Sequence, residues 1–251
     1  MTPAVLNWFV GYFLVVCRVG LAFAAMPALS GPRYPALVRV LLALAVSAAI
    51  APLVVKPEQV PDASNSGIAI YVLSEVAVGF VLGFWGFCFI HAARFAGTFI
   101  INAIGLAGIP GQSVDDQDGE SHIVSLLSMG FTALVLASGL HLITIQALVG
   151  SYDTIPPGKF LDFGWAMPRM VSILSQTSVV SLQMASPFIV LTIVVNLALG
   201  IANRMTPQLS VYFAFTGLLT MVSLVVLALV SPTMLLVAVD AYRDFLTNGF
   251  Q

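Results

Sequence analysis

The feature that most limits this chain is the length of its uncharged apolar runs. From Met170 to Ala202 there is no Asp, Glu, Lys or Arg, and from Pro207 to Tyr242 only Asp240 interrupts. Each run exceeds the ~20 residues that one membrane crossing needs. The whole chain follows suit. Its 251 residues hold nine Lys or Arg and eleven Asp or Glu, and the charged share is 8%, against about 25% in ordinary soluble domains. That excludes a soluble monomer, a disordered chain and a basic nucleic-acid-binding domain. The bilayer core or other apolar protein must be its solvent, and no nucleic-acid partner is expected.

Six apolar segments follow from the pattern: about Val5 to Leu29, Ala36 to Val55, Ile68 to Ile104, His122 to Val149, Met170 to Ala202 and Pro207 to Tyr242. Breaks between them are marked by Pro and Gly. Gly31, Pro32 and Pro35 end the first segment, and Pro156, Pro157 and Gly158 lie before the fifth. Segment three is too long for one span and is expected to bend or break at its glycines. Pro187 and Pro232 should kink the last two helices by removing a backbone donor each. The fold class is therefore all-α: about six long, kinked, membrane-type helices in hairpins. Met1 to Val10 carries no basic region, so the first span is expected to stay uncleaved.

Loop charges give no orientation. With Arg18 set aside inside a span, one set of loops holds Arg33, Arg39, Arg94 and Arg204, and the other holds Lys56, Lys159, Arg169 and Arg243. A lone bilayer protein usually shows a bias. A subunit held by partner subunits need not.

Catalytic and metal chemistry find little support. His91, His122 and His141 are scattered, Cys17 and Cys88 sit apart in apolar runs, and no H-E-x-x-H, G-x-S-x-G or G-K-[ST] motif occurs. No enzyme activity, cofactor or metal is expected. Arg18 and Glu75 are charged groups inside apolar segments, where each costs about 2.5–3.5 kcal/mol on insertion scales. They can serve as a proton or ion relay, or neutralise each other as an interhelical or intersubunit pair, and the second reading is simpler. Gly79, Gly83 and Gly86 form a small-residue groove that lets another backbone approach closely. The neighbouring Phe80, Phe84, Trp85, Phe87 and Phe89 read as packing surface.

Two polar elements remain. Gly105, Leu106, Gly108, Ile109, Pro110, Gly111 and Gln112 open a glycine-rich loop, and Asp115, Asp116, Asp118 and Glu120 crowd its second half. The other is a tight helical hairpin tip. Asn196 precedes Asn203 and Arg204, which can satisfy the last carbonyls of one helix, and Pro207 and Gln208 start the next.

The hairpin string N-L-A-L-G-I-A-N-R-M-T-P-Q-L-S resembles the FliR family of flagellar export-gate proteins and their virulence-secretion counterparts. Arg18 with Gly20, then Pro27, Pro35, Arg39, Glu75, Gly79, Gly83, Gly139-Leu140-His141 and the Ser151 to Pro156 turn follow in the same order, so the resemblance spans nearly the whole chain. It implies a subunit of a helical pore-forming assembly, built with several copies of FliP and FliQ, with FlhB around it. Residues 1–168 would be the FliP-like part and residues 169–251 a FliQ-like hairpin. The loop from Gly105 to Ser121 is expected to help plug the closed channel. Here it is more acidic and glycine-rich than in some relatives.

The resulting expectation is a structural and gating subunit of the flagellar type III export gate, in the bacterial inner membrane at the basal body. Unfolded flagellar polypeptides would pass through the channel. Arg18, Glu75, Asn196, Asn203, Arg204, Pro207 and Gln208 would be interhelical or assembly contacts. The alternative is a small proton-coupled secondary transporter with Glu75 as its proton site. An intramembrane enzyme would need paired catalytic groups at depth, and the sequence supplies none.

Overall fold

A computed structural model describes residues 3–27, 35–55, 68–104, 122–157, 159, 161–205 and 211–248. Every regular element among them is an α-helix: α1 (Pro3–Ala25), α2 (Ala36–Val54), α3 (Ile68–Ile104), α4 (His122–Ala137), α5 (Leu140–Thr154), α6 (Phe163–Met205) and α7 (Val211–Asn248). Five of these, α1, α2, α3, α6 and α7, are long and apolar enough to cross a membrane, and α4 with α5 would make a sixth, broken span. The all-helical, membrane-type class read from the sequence is the one observed.

Three boundaries differ from the sequence reading, each for a local reason. Segment three does not break: α3 is one helix of 37 residues. Its glycines serve packing, as shown below, and the i to i−4 ladder runs through them. Segment four does break. Gly139 adopts φ 71° and separates α4 from α5, a left-handed conformation that costs glycine nothing and other residues something. Helix α6 starts at Phe163, seven residues before the apolar run at Met170, because Asp162 caps it. The Asp162 carboxylate accepts from the Gly164 amide at 2.9 Å, and its carbonyl accepts from Ala166 at the same distance. Pro232 lies inside α7, as expected.

The chain forms two compact units, each drawn from separate stretches. The first comprises Met1–Phe89, Val135–Ser175 and Arg243–Gln251; the second comprises Ile90–Leu134 and Gln176–Tyr242. In the first, Leu14, Val19 and Phe23 of α1 and Trp85 and Phe89 of α3 are buried. Trp85 meets Phe245 edge-on at 5.6 Å, which ties the end of α7 to α3. In the second, Ile100, Phe131 and Phe188 are fully enclosed, and Phe131 meets Tyr242 at 6.2 Å. Outside these cores the helices expose large aliphatic side chains, such as Leu53, Leu229 and Val225, as a chain solvated by lipid or apolar protein must.

Candidate functional site

The first unit is organised around one buried ion pair. Arg18 lies on α1 and Glu75 on α3, and both side chains are completely shielded from solvent. The contact is bidentate: Nε of Arg18 donates to Oε2 at 2.6 Å, and Nη2 donates to Oε1 at 3.1 Å. The planar guanidinium fork matches the two carboxylate oxygens, so charge and geometry are satisfied together.

Helix α5 completes the cage. Nη1 of Arg18 donates to Oγ of Ser151 at 3.2 Å, and Nη2 also donates to the Ile155 carbonyl at 3.0 Å. Ile155 is the C-cap of α5, so the cation sits at the negative end of that helix dipole. The Tyr152 ring covers the guanidinium, with Cζ 3.8 Å from its centroid. The Ser151 hydroxyl in turn donates a hydrogen bond to the Leu148 carbonyl at 2.6 Å. Next to Glu75, Ser74 donates to the Lys159 carbonyl at 2.5 Å. Arg18 and Ser74 thus tie the segment after α5 to α1 and α3.

Glycine makes this approach possible. A Cβ on Gly79 would collide with the Arg18 carbonyl. One on Gly83 would lie 2.9 Å from Cβ of Ala25, and one on Gly86 would lie 2.8 Å from Cδ of Pro27. Helix α3 therefore presents a groove one residue deep, and the backbone of α1 and the residues after it rest in it. The same turn of α1 that needs Gly79 for its backbone sends its side chain to Glu75.

Both oxygens of Glu75 accept from Arg18, so removing either member would strand the other charge in the interior. Among the described residues no group of His, Cys, Asp and Glu is arranged to hold a metal.

The structure brings Arg18 and Glu75 together. It places Asn196, Asn203 and Arg204 on α6, all exposed in the single chain, with Arg204 in the last turn. The glycine-rich acidic loop, from Gly105 through Glu120, and Pro207 and Gln208 lie outside the described residues. The sequence reading missed Ser151, Tyr152 and Ile155 as partners of Arg18. Their place in an ordered turn is legible, but nothing local tells that they meet a residue more than 130 positions earlier.

Comparison with known proteins agrees with the helical pattern. The model of the family "Bacterial export proteins, family 1" matches residues 9–245. The chain is 29% identical to the flagellar biosynthetic protein FliR of Caulobacter vibrioides over 93% of either chain. It is 30% identical to flagellar biosynthetic protein FliR of Escherichia coli over 90% of this chain and 86% of that one. It is 26% identical to the secretion system apparatus protein SsaT of Salmonella typhimurium over 71% of each. A family match from the first helix to the last, over a buried ion pair and a glycine groove in a lipid-like helical chain, leads to one conclusion: the protein belongs to family 1 of the bacterial export proteins, the FliR family.

Proposed function

We propose that this chain is a structural, non-enzymatic subunit of the flagellar type III export gate. It would build, with FliP and FliQ, the channel through which unfolded flagellar proteins leave, with FlhB bound around it, in the bacterial inner membrane. The observation that carries this reading is the family match over nearly the entire chain to FliR proteins and to a secretion system apparatus protein. Two features support it. The exposed aliphatic surface of α6 and α7 suits burial by neighbouring subunits. The buried, bidentate Arg18–Glu75 pair suits a scaffold better than a transporter that must load and release a proton at Glu75.

In this reading residues 1–168 serve as a FliP-like part and residues 169–251 as a FliQ-like hairpin. Asn196, Asn203, Arg204, Pro207 and Gln208 dock the hairpin tip in the assembly. The segment from Gly105 to Ser121 obstructs the closed pore and moves aside for substrate; its glycines lower the cost of rearrangement, and its carboxylates stay soluble in an aqueous lumen. Energy comes from another component, since the sequence has no nucleotide-binding motif.

The test is co-purification after detergent solubilisation, with each partner identified by mass. The gate reading expects FliP and FliQ in the complex and a chain that is unstable without them. A stable single chain that moves protons after reconstitution would establish the transporter instead. Deleting Gly111 to Gly119 tests the plug separately: ion leakage through the complex should rise, and unchanged leakage would remove the plug from the proposal.

A further inference from the structure

Arg18 is charged as soon as α1 is made, and none of its partners exists at that moment. The chain grows from its N-terminus. Glu75 follows 57 positions later, Ser151 follows 133 later and Ile155 follows 137 later. Helix α1 is also the least hydrophobic of the five helices long and apolar enough to cross a membrane. Its 23 residues include eleven Leu, Val or Phe. On insertion scales one Arg near a helix centre offsets roughly four to twelve such residues. Taken alone, α1 is therefore close to indifferent between water and lipid.

The folded chain divides α1 along the same line. Trp8, Phe9 and Phe13, in its first half, are exposed, as side chains that face lipid are. Leu14, Val15, Arg18, Val19, Ala22 and Phe23, toward its other end, are buried. That is the half which runs along Gly79 and Gly83 of α3. A lone Arg18 would leave hydrocarbon by sliding α1 toward its nearer end at Ala25, seven residues or about 10 Å away. Helix α3 has no such difficulty. Glu75 is the eighth of its 37 residues, and Val76 to Ala93 carries no Asp, Glu, Lys or Arg. That run is long enough for one crossing with Glu75 left at its edge.

We infer that α1 settles in the apolar phase only together with α3: Arg18 makes its insertion conditional, and Glu75, arriving later, admits it and sets its depth. The dependence runs one way. Without Arg18, α1 is apolar enough to insert unaided, and α3 inserts with or without Glu75. Only Arg18 without Glu75 is stranded. This inference needs the membrane-type helices and not the export-gate reading, so co-purification with partners decides that reading separately.

Cys17, half-exposed on α1 and next to Arg18 in sequence, reports the outcome. The experiment uses the full chain carrying Cys88→Ala, in native membranes. The probe is N-ethylmaleimide, which alkylates a thiol only where water lets it ionise. A brief radiolabelling pulse confines the reading to newly made chains, so that later degradation of a variant does not hide it. Glu75→Leu should raise the alkylation rate of Cys17 about tenfold, because Arg18 then holds its part of α1 in contact with water. Arg18→Leu, and the double variant Arg18→Leu with Glu75→Leu, should keep the rate of the parent chain. An unchanged rate in Glu75→Leu overturns the inference. So does an equal rise in Arg18→Leu or in the double variant, which is what plain loss of packing around the pair would give.

Discussion

Gly79 lies directly against the carbonyl of Arg18, with no space for a side chain between them. The obstacle is backbone on both sides, so a methyl at position 79 must push α1 and α3 apart. That separation also pulls Arg18 away from Glu75. Gly79→Ala should destabilise the fold by about 1–3 kcal/mol, the cost of overpacking. Gly20 faces open space, so Gly20→Ala should be neutral or stabilising by up to about 1 kcal/mol through helix propensity. Fluorescence-detected thermal unfolding in detergent compares the two, and equal behaviour would argue against the groove.

Removing one member of the buried pair leaves the other charged and alone. Arg18→Leu or Glu75→Leu should each cost about 3–5 kcal/mol. The double leucine variant should cost clearly less than the sum, since it strands no charge. A double-mutant cycle on unfolding in detergent reads the difference, and simple additivity would mean that the pair is not coupled.

Arg18→Lys keeps the charge and loses the fork. A lysine cannot hold both Glu75 oxygens, the Ser151 hydroxyl and the Ile155 carbonyl at once. A loss of about 1–3 kcal/mol is expected, chiefly from acceptors left unpaired. Hydrogen exchange should rise around Ser151 to Lys159, the segment that Arg18 and Ser74 hold. Exchange confined to α1 would instead place the anchor elsewhere.

Gly139 is the sole described residue at positive φ. Gly139→Ala should cost about 1–2 kcal/mol, the strain of a left-handed residue with a Cβ. Open space around it means that no steric clash adds to this. The same thermal assay measures it, and a stabilised variant would show that the chain can straighten between α4 and α5.

Asp162 caps α6 through its carboxylate. Asp162→Ala should cost about 1 kcal/mol, and Asp162→Asn should recover most of it. A larger loss in both variants would point to a role for the charge itself.

How much of this was legible from residues alone depends on range. Apolar run length and helix-breaking residues act within a few turns, so the helical class, the number of spans and the interiors of α1, α2, α3, α6 and α7 could be read directly. So could the pairing of Arg18 with Glu75 as the simpler of two readings, because two opposite charges in an apolar solvent have few other options. The glycine groove was visible as spacing. The family followed from the ordered string of polar, glycine and proline positions.

Other features were decided only when distant segments met. Gly139 looks like any helical glycine in sequence, and only its backbone conformation makes it a break. Gly79, Gly83 and Gly86 look like breakers in an over-long segment, yet α3 continues because packing against α1 rewards the absence of side chains. Asp162 moves the start of α6 ahead of its apolar run by a local hydrogen bond. The Ser151, Tyr152 and Ile155 shell around Arg18 is the clearest case. A guanidinium must find acceptors when buried, which the sequence determines; which acceptors it finds is set by how α5 ends beside α1 and α3, and only the tertiary structure decides that.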